Sequence, residues 1–185
     1  MTIVDLQNVN KLLYSNNKFG ENSHFSYSSF YSSLKFKQDD VIDILNIGNQ
    51  PYGFVLLTHD YFINSNVVCD SNIFNDSSID LSNFKRLKTN TIDLYDINNW
   101  VSLNGLKYDL IISNCNEEYD KILTLINNFK NITKPNGMLI LENIPNEMLD
   151  QLVYEMEADR TNTSIIDYTR TSKIYNDIII TSING

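Results

Sequence analysis

Beyond residue 40, apolar residues gather in five short runs: 42–47, 66–69, 84–91, 108–113 and 138–143. Each is rich in β-branched and large apolar side chains, as buried strands are. Helix-length segments lie between them, at 54–62, 97–103 and 118–129. In the last of these, Tyr119, Ile122, Ile126 and Phe129 share one helical face, with polar residues between. Strands alternating with helices at this spacing predict βαβ units and a mainly parallel sheet covered on both faces. A turn signal, Lys134-Pro135-Asn136-Gly137, stands ahead of the fifth run.

The two ends read differently. The first forty residues are polar and helical in flavour. A short helix is expected over 5–13, and Tyr27, Phe30, Tyr31 and Leu34 recur at helical spacing as a second. At the other end, 146–157 reads as a helix, and 163–169 and 177–182 read as two strands with no room for a helix between them. Such strands pair as an antiparallel hairpin. The expectation is therefore α/β: one domain over 1–185, with a helical segment (1–40) ahead of an α/β core (41–185) that ends in an antiparallel hairpin.

Composition narrows the functions open to this fold. The 185 residues carry 14 basic and 23 acidic side chains, a formal net charge of −9. Polyanions repel such a chain, so neither nucleic acid nor an anionic membrane surface is an expected partner. No apolar stretch approaches the ~18 residues that span a bilayer, and no signal peptide is visible, so a cytoplasmic setting is expected. Two cysteines, 46 positions apart, make neither a disulfide framework nor a metal cluster. The chain holds 27 asparagines against one alanine, Ala158, the imprint of an AT-rich genome.

In an open α/β sheet, ligands bind outside the carboxyl ends of the strands. The first run leads into Gly48-Asn49-Gln50-Pro51-Tyr52-Gly53. Gly48 can take a positive φ and Gly53 can open the next helix, though a tight turn with no ligand explains two glycines equally well. The second run ends in Asp70, 22 residues past Gly48. An acid there is placed to accept hydrogen bonds from ribose hydroxyls, or else to cap the segment that follows. Asn90-Thr91-Ile92 closes the third run, and the fourth ends in Ser113-Asn114-Cys115, neutral and polar. Lys85, Arg86 and Lys88 fall on an expected edge strand, where charge guards against pairing with another sheet.

The stretch 43–72, DILNIGNQPYGFVLLTHDYFINSNVVCDSN, resembles the first βαβ unit of class I S-adenosylmethionine-dependent methyltransferases, in particular the macrocin-type sugar O-methyltransferases. Gly48, Gln50, Gly53, Tyr61, Phe62, Asn64 and Asp70 match. Lys18, His24, Tyr27 and Tyr31 resemble that family's N-terminal segment. Tyr108-Asp109-Leu110-Ile111-Ile112, the Lys134–Gly137 turn and Glu142 resemble its fourth strand, turn and fifth-strand acid. The resemblance implies a Rossmann-like seven-stranded sheet of order 3-2-1-4-5-7-6 and S-adenosylmethionine bound across strands one to four. Gly48 and Gln50 would lie against its methionine part, Asp70 on the ribose, and Thr91 and Ile92 beside the adenine, with Asn49, Gly53 and Ser113 as further cofactor-binding residues.

Several positions depart from the family pattern. Asn17, Asn46, Asn114 and Asn143 stand where it prefers an acid, and Tyr52 stands for a glycine. In the family, carboxylates after strands four and five hold Mg²⁺. With Glu142 alone left there, Mg²⁺ is not expected, because that ion needs hard oxygen ligands. His24 remains as the candidate base. The resemblance implies O-methylation of a small hydroxylated acceptor such as a sugar; the missing acids imply as an alternative an inactive relative kept as a binding or assembly partner. Assembly of several copies is compatible with either.

Overall fold

The computed structural model describes residues 1–16, 25–48, 50–92, 107–115, 119–144, 146–158, 162–167 and 178–183. Its elements in chain order are α1 (Ile3–Val9), α2 (Phe25–Ser32), β1 (Asp43–Gly48), α3 (Tyr52–Tyr61), β2 (Asn66–Asp70), β3 (Leu87–Asn90), β4 (Tyr108–Asn114), α4 (Tyr119–Ile132), β5 (Thr133–Glu142), α5 (Asn146–Ala158), β6 (Asn162–Asp167) and β7 (Ile178–Ile183). The strands form one sheet in the order β3-β2-β1-β4-β5-β7-β6, as expected. β1 to β5 run parallel, and β7 is antiparallel to both β5 and β6. The expected helix over 97–103 lies outside the described residues.

Strand alternation divides the core in two. Ile44, Val67, Leu110 and Ile140 face a cluster with α1, α2 and α3, where Ile3, Phe30, Phe54 and Leu57 are buried. Leu45, Ile47, Ile111 and Leu139 face the other, where Ile122, Leu125, Phe129 and Leu152 of α4 and α5 cover them. α3 is buried from Gly53 through His59, because α1 packs over it. α1 starts at Ile3, earlier than its apolar pattern predicts. A capping box sets the start: Thr2 Oγ1 accepts from Asp5 N, and Thr2 N donates to the Asp5 carboxylate.

The third strand is shorter than its apolar run. Leu81–Asn83 forms a 3₁₀ turn that Asp80 caps, so pairing begins only at Leu87. Lys88 is exposed on this edge strand, as an edge guard requires. Arg86 instead turns inward. Its guanidinium donates to the carbonyls of His59, Phe62 and Ser65, each at 2.8 Å, and so closes the C-terminal end of α3.

The predicted turn before the fifth strand is a bulge within β5. Tyr108 pairs with Thr133 and Leu110 with Met138, so Lys134 to Gly137 loop out, with Asn136 at φ 61°. The bulge aims Lys134 Nζ at Asp43 Oδ2 (2.8 Å) and Asp109 Oδ2 (2.7 Å), a clamp across the starts of β1, β4 and β5. Burial pushes the Asp43 carboxyl up, but hydrogen bonds from Lys134 and Asn66 outweigh it and hold it below the ordinary value. A lowered carboxyl stabilises the fold above its unfolded-state value and loses that contribution as pH falls through the folded one. Urea midpoints of Asp43→Asn are therefore expected to fall less steeply than wild type from about pH 5 downward. Equal acid slopes for the two proteins would refute the clamp. The raised Lys134 amine stays charged throughout that range.

Candidate functional site

The chain leaves β1 for β2 on one side and reaches β4 on the other. The crevice between the carboxyl ends of β1 and β4 is therefore the topological switch point of the sheet. Gly48 pairs with Asn114 across it. Gly48 sits at φ +75°, and a Cβ there would stand 2.4 Å from the Asn114 carbonyl oxygen. Two constraints thus require glycine: the left-handed backbone and the approach of β4. Gln50 follows, its N–H donating to Gly48 O at 2.8 Å, which closes a tight turn into α3.

Gly53 has a different neighbour. A Cβ on it would stand 2.0 Å from Ser15 O, so it lets the N-terminal segment lie against the first turn of α3. The Tyr52 ring lies tilted on Phe74, at the end of the 3₁₀ turn Ser71–Phe74 after β2, at 6.4 Å between centroids. Asn46 lies beneath α3, donating to Thr58 Oγ1 at 3.3 Å, and its buried Oδ1 has no partner among the described residues.

Asp70 ends β2, half-exposed. Its Oδ1 accepts from Asn72 N at 3.0 Å and caps the 3₁₀ turn Ser71–Phe74. Capping fixes this side chain at the strand end, and Oδ2 has no partner among the described residues. The two sequence readings of this acid are thus compatible. Beside it, Cys69 is buried, and burial with the neighbouring Asp70 charge pushes its thiol up to about 12. That excludes a reactive thiolate near neutral pH. Thr91 is exposed just past β3, its hydroxyl 3.4 Å from Ser71 Oγ, and Ile92 is buried behind it. Ser113 is buried in β4 between Ile47 and Leu141. Gly48, Gln50, Asp70, Thr91, Ile92 and Ser113 therefore all lie at or next to the carboxyl ends of β1 to β4. His24 and Asn49 lie outside the described residues.

Glu142 ends β5 and is 0% exposed. Its Oε1 accepts from the Tyr31 hydroxyl at 2.5 Å and its Oε2 from Gln50 Nε2 at 3.4 Å. Burial and the Glu142 charge raise the Tyr31 hydroxyl well above its ordinary value, so it stays a donor. Next to it, Asn143 at φ 57° donates through Nδ2 to Asn114 Oδ1 at 3.3 Å. These are the positions at which the resembling family holds Mg²⁺. The residues here do not fit the ion: two are neutral amides bonded to each other, and both oxygens of the remaining carboxylate accept from protein donors. Among the described residues no group of three His, Cys, Asp or Glu could hold a metal. The link from Tyr31 to Glu142 spans 111 positions of sequence; helical spacing placed Tyr31 on a helix face and the resemblance matched it to the family, but neither tied it to Glu142.

No protein-family model matches the sequence, and no curated protein matches it either. Solved structures do match in shape. The MycE methyltransferase of the mycinamycin biosynthetic pathway, in complex with Mg and SAH, aligns with a TM-score of 0.68 at 14% identity, over 100% of this chain and 54% of that one. The fibrillarin pre-rRNA processing protein of Methanococcus jannaschii aligns at 0.67 with 15% identity, over 89% and 76%. A methyltransferase of Pyrococcus furiosus aligns at 0.62 with 13% identity, over 99% and 96%. Strand order, the antiparallel β7 and these neighbours together show that the chain has the class I methyltransferase fold.

Proposed function

We propose that this chain binds S-adenosylmethionine across the carboxyl ends of β1 to β4 and directs methyl transfer to an oxygen of a small hydroxylated acceptor, of sugar type. The observation that carries the reading is the placement of Asp70: an acid at the carboxyl end of β2 with one oxygen held by Asn72 N, one strand away from the Gly48 turn that borders the switch point. A carboxylate so fixed suits a ribose diol. The cofactor supplies an electrophilic methyl group on a sulfonium. The chain supplies position: the Gly48–Gln50 turn beside the methionine part, Asp70 on the ribose, Thr91 and Ile92 beside the adenine, Ser113 at the β4 end. In-line placement of the acceptor oxygen accounts for much of the barrier, and His24 is the group for its proton. No step uses a metal. The net charge of −9 argues against a nucleic-acid acceptor. Among the described residues no helix is long and apolar enough to cross a membrane.

Calorimetry with S-adenosylmethionine and with SAH, its demethylated product, tests this. Wild type is expected to bind both. Asp70→Ala is expected to weaken SAH by about a hundredfold, the scale of two hydrogen bonds to a charged acceptor. An unchanged affinity would refute the ribose role. A second reading, a non-catalytic binding or assembly partner, draws on the Asn114–Asn143 amide pair. It predicts a folded wild type with no detectable binding of either compound.

A further inference from the structure

Three elements from distant parts of the chain meet on one buried carboxylate. α2 brings Tyr31, the turn after β1 brings Gln50, and β5 brings Glu142. The Tyr31 ring has little freedom: it stands edge-on to Phe30 at 5.2 Å and to Phe54 at 5.3 Å. Its hydroxyl therefore meets Glu142 Oε1 from a fixed direction, and the carboxylate turns Oε2 to Gln50. Gln50 in turn belongs to the turn that its own N–H closes on Gly48 O.

We propose that Tyr31 is a positioning residue that acts through Glu142 on Gln50, so that α2 sets the shape of the Gly48–Gln50 turn. The carboxylate, at a place where the family would use one for a metal, serves here to relay position between two protein donors. The consequence for cofactor affinity rests on the reading above; the consequence for the turn does not.

Tyr31→Phe removes only the hydroxyl and keeps the ring that packs on Phe30 and Phe54. In the ligand-free protein, amide exchange at Gln50 is expected to quicken about tenfold, with amides at the centre of α4 unchanged. SAH affinity is expected to fall about tenfold, as it should in Gln50→Leu, and the double variant should lose no more than either single one. A space-filling role alone would leave exchange at Gln50 unmoved, and that result overturns the proposal. Additive losses of affinity in the double variant overturn it equally. If wild type binds no SAH, the cofactor reading falls by itself, and exchange at Gln50 still decides the relay. Should Tyr31→Phe fail to fold, Glu142→Gln gives the same readout, since it weakens acceptance from both donors without changing size.

Discussion

Gly48→Ala is expected to cost about 3 kcal/mol of unfolding free energy or more, and to abolish detectable SAH binding. Two penalties add. A left-handed backbone costs a non-glycine residue about 1–2 kcal/mol. The new methyl would also stand 2.4 Å from the Asn114 carbonyl oxygen, which belongs to a β4 backbone paired on both sides and cannot yield as a flexible side chain can. Any relief must part β1 from β4 at the crevice or rotate the Gln50 peptide, and either change spoils the proposed site. Urea unfolding gives the first number and calorimetry the second. A loss under about 1 kcal/mol with binding retained would mean that the close approach of the two strands does not exist in solution.

Arg86→Leu is the second large effect, expected at about 3 kcal/mol. Its guanidinium serves three carbonyls, of His59, Phe62 and Ser65, all in buried residues. These include terminal carbonyls of α3, where the helix dipole also favours a cation. Leucine would fill part of the space and leave the carbonyls bare. Lysine keeps the charge but has one nitrogen on a flexible stem for three diverging acceptors, so it should restore less than half of the loss. For a chain of this size the leucine variant should melt ~6–12 °C below wild type. A melting temperature within about 2 °C of wild type would show that water satisfies those carbonyls as well as Arg86 does. The local network extends further. Burial pushes the Asp60 carboxyl up, but hydrogen bonds from His59 and Tyr14, with the charge of Arg86 nearby, hold it below its ordinary value.

The strands and the closing hairpin could be read from the chain, because buried strands write themselves as apolar runs and the 163–182 region has no room for a crossover helix; the order of the strands came from the family resemblance. What stayed hidden was set by single contacts. The apolar run at 84–91 looks like one strand, yet the Asp80-capped turn takes its start and Arg86 is spent on helix carbonyls. A basic cluster cannot say which of its members faces inward. Thr2 and Asp5 carried a capping signal that the apolar pattern of α1 outweighed. At the site, glycine and acid positions could be placed because they follow strand ends. Asn114 and Asn143 could be recognised as missing acids, but not as partners of each other, and nothing local ties Tyr31 to Glu142. The role of Gly53 also needed the structure, since its close neighbour, Ser15, comes from another segment.

The place of β7 has a consequence for the order of events in folding. Among the described residues β6 pairs with β7 alone. As the chain is made, β6 emerges with no neighbour to receive it, because β5 is reserved for a strand not yet synthesised. Any early pairing of β6 directly on β5 would be a trap that must open again. The last ladders of this sheet to form should therefore be the two on β7, and conditions that slow synthesis of the segment from β6 to β7 should lengthen the life of a sheet five strands wide.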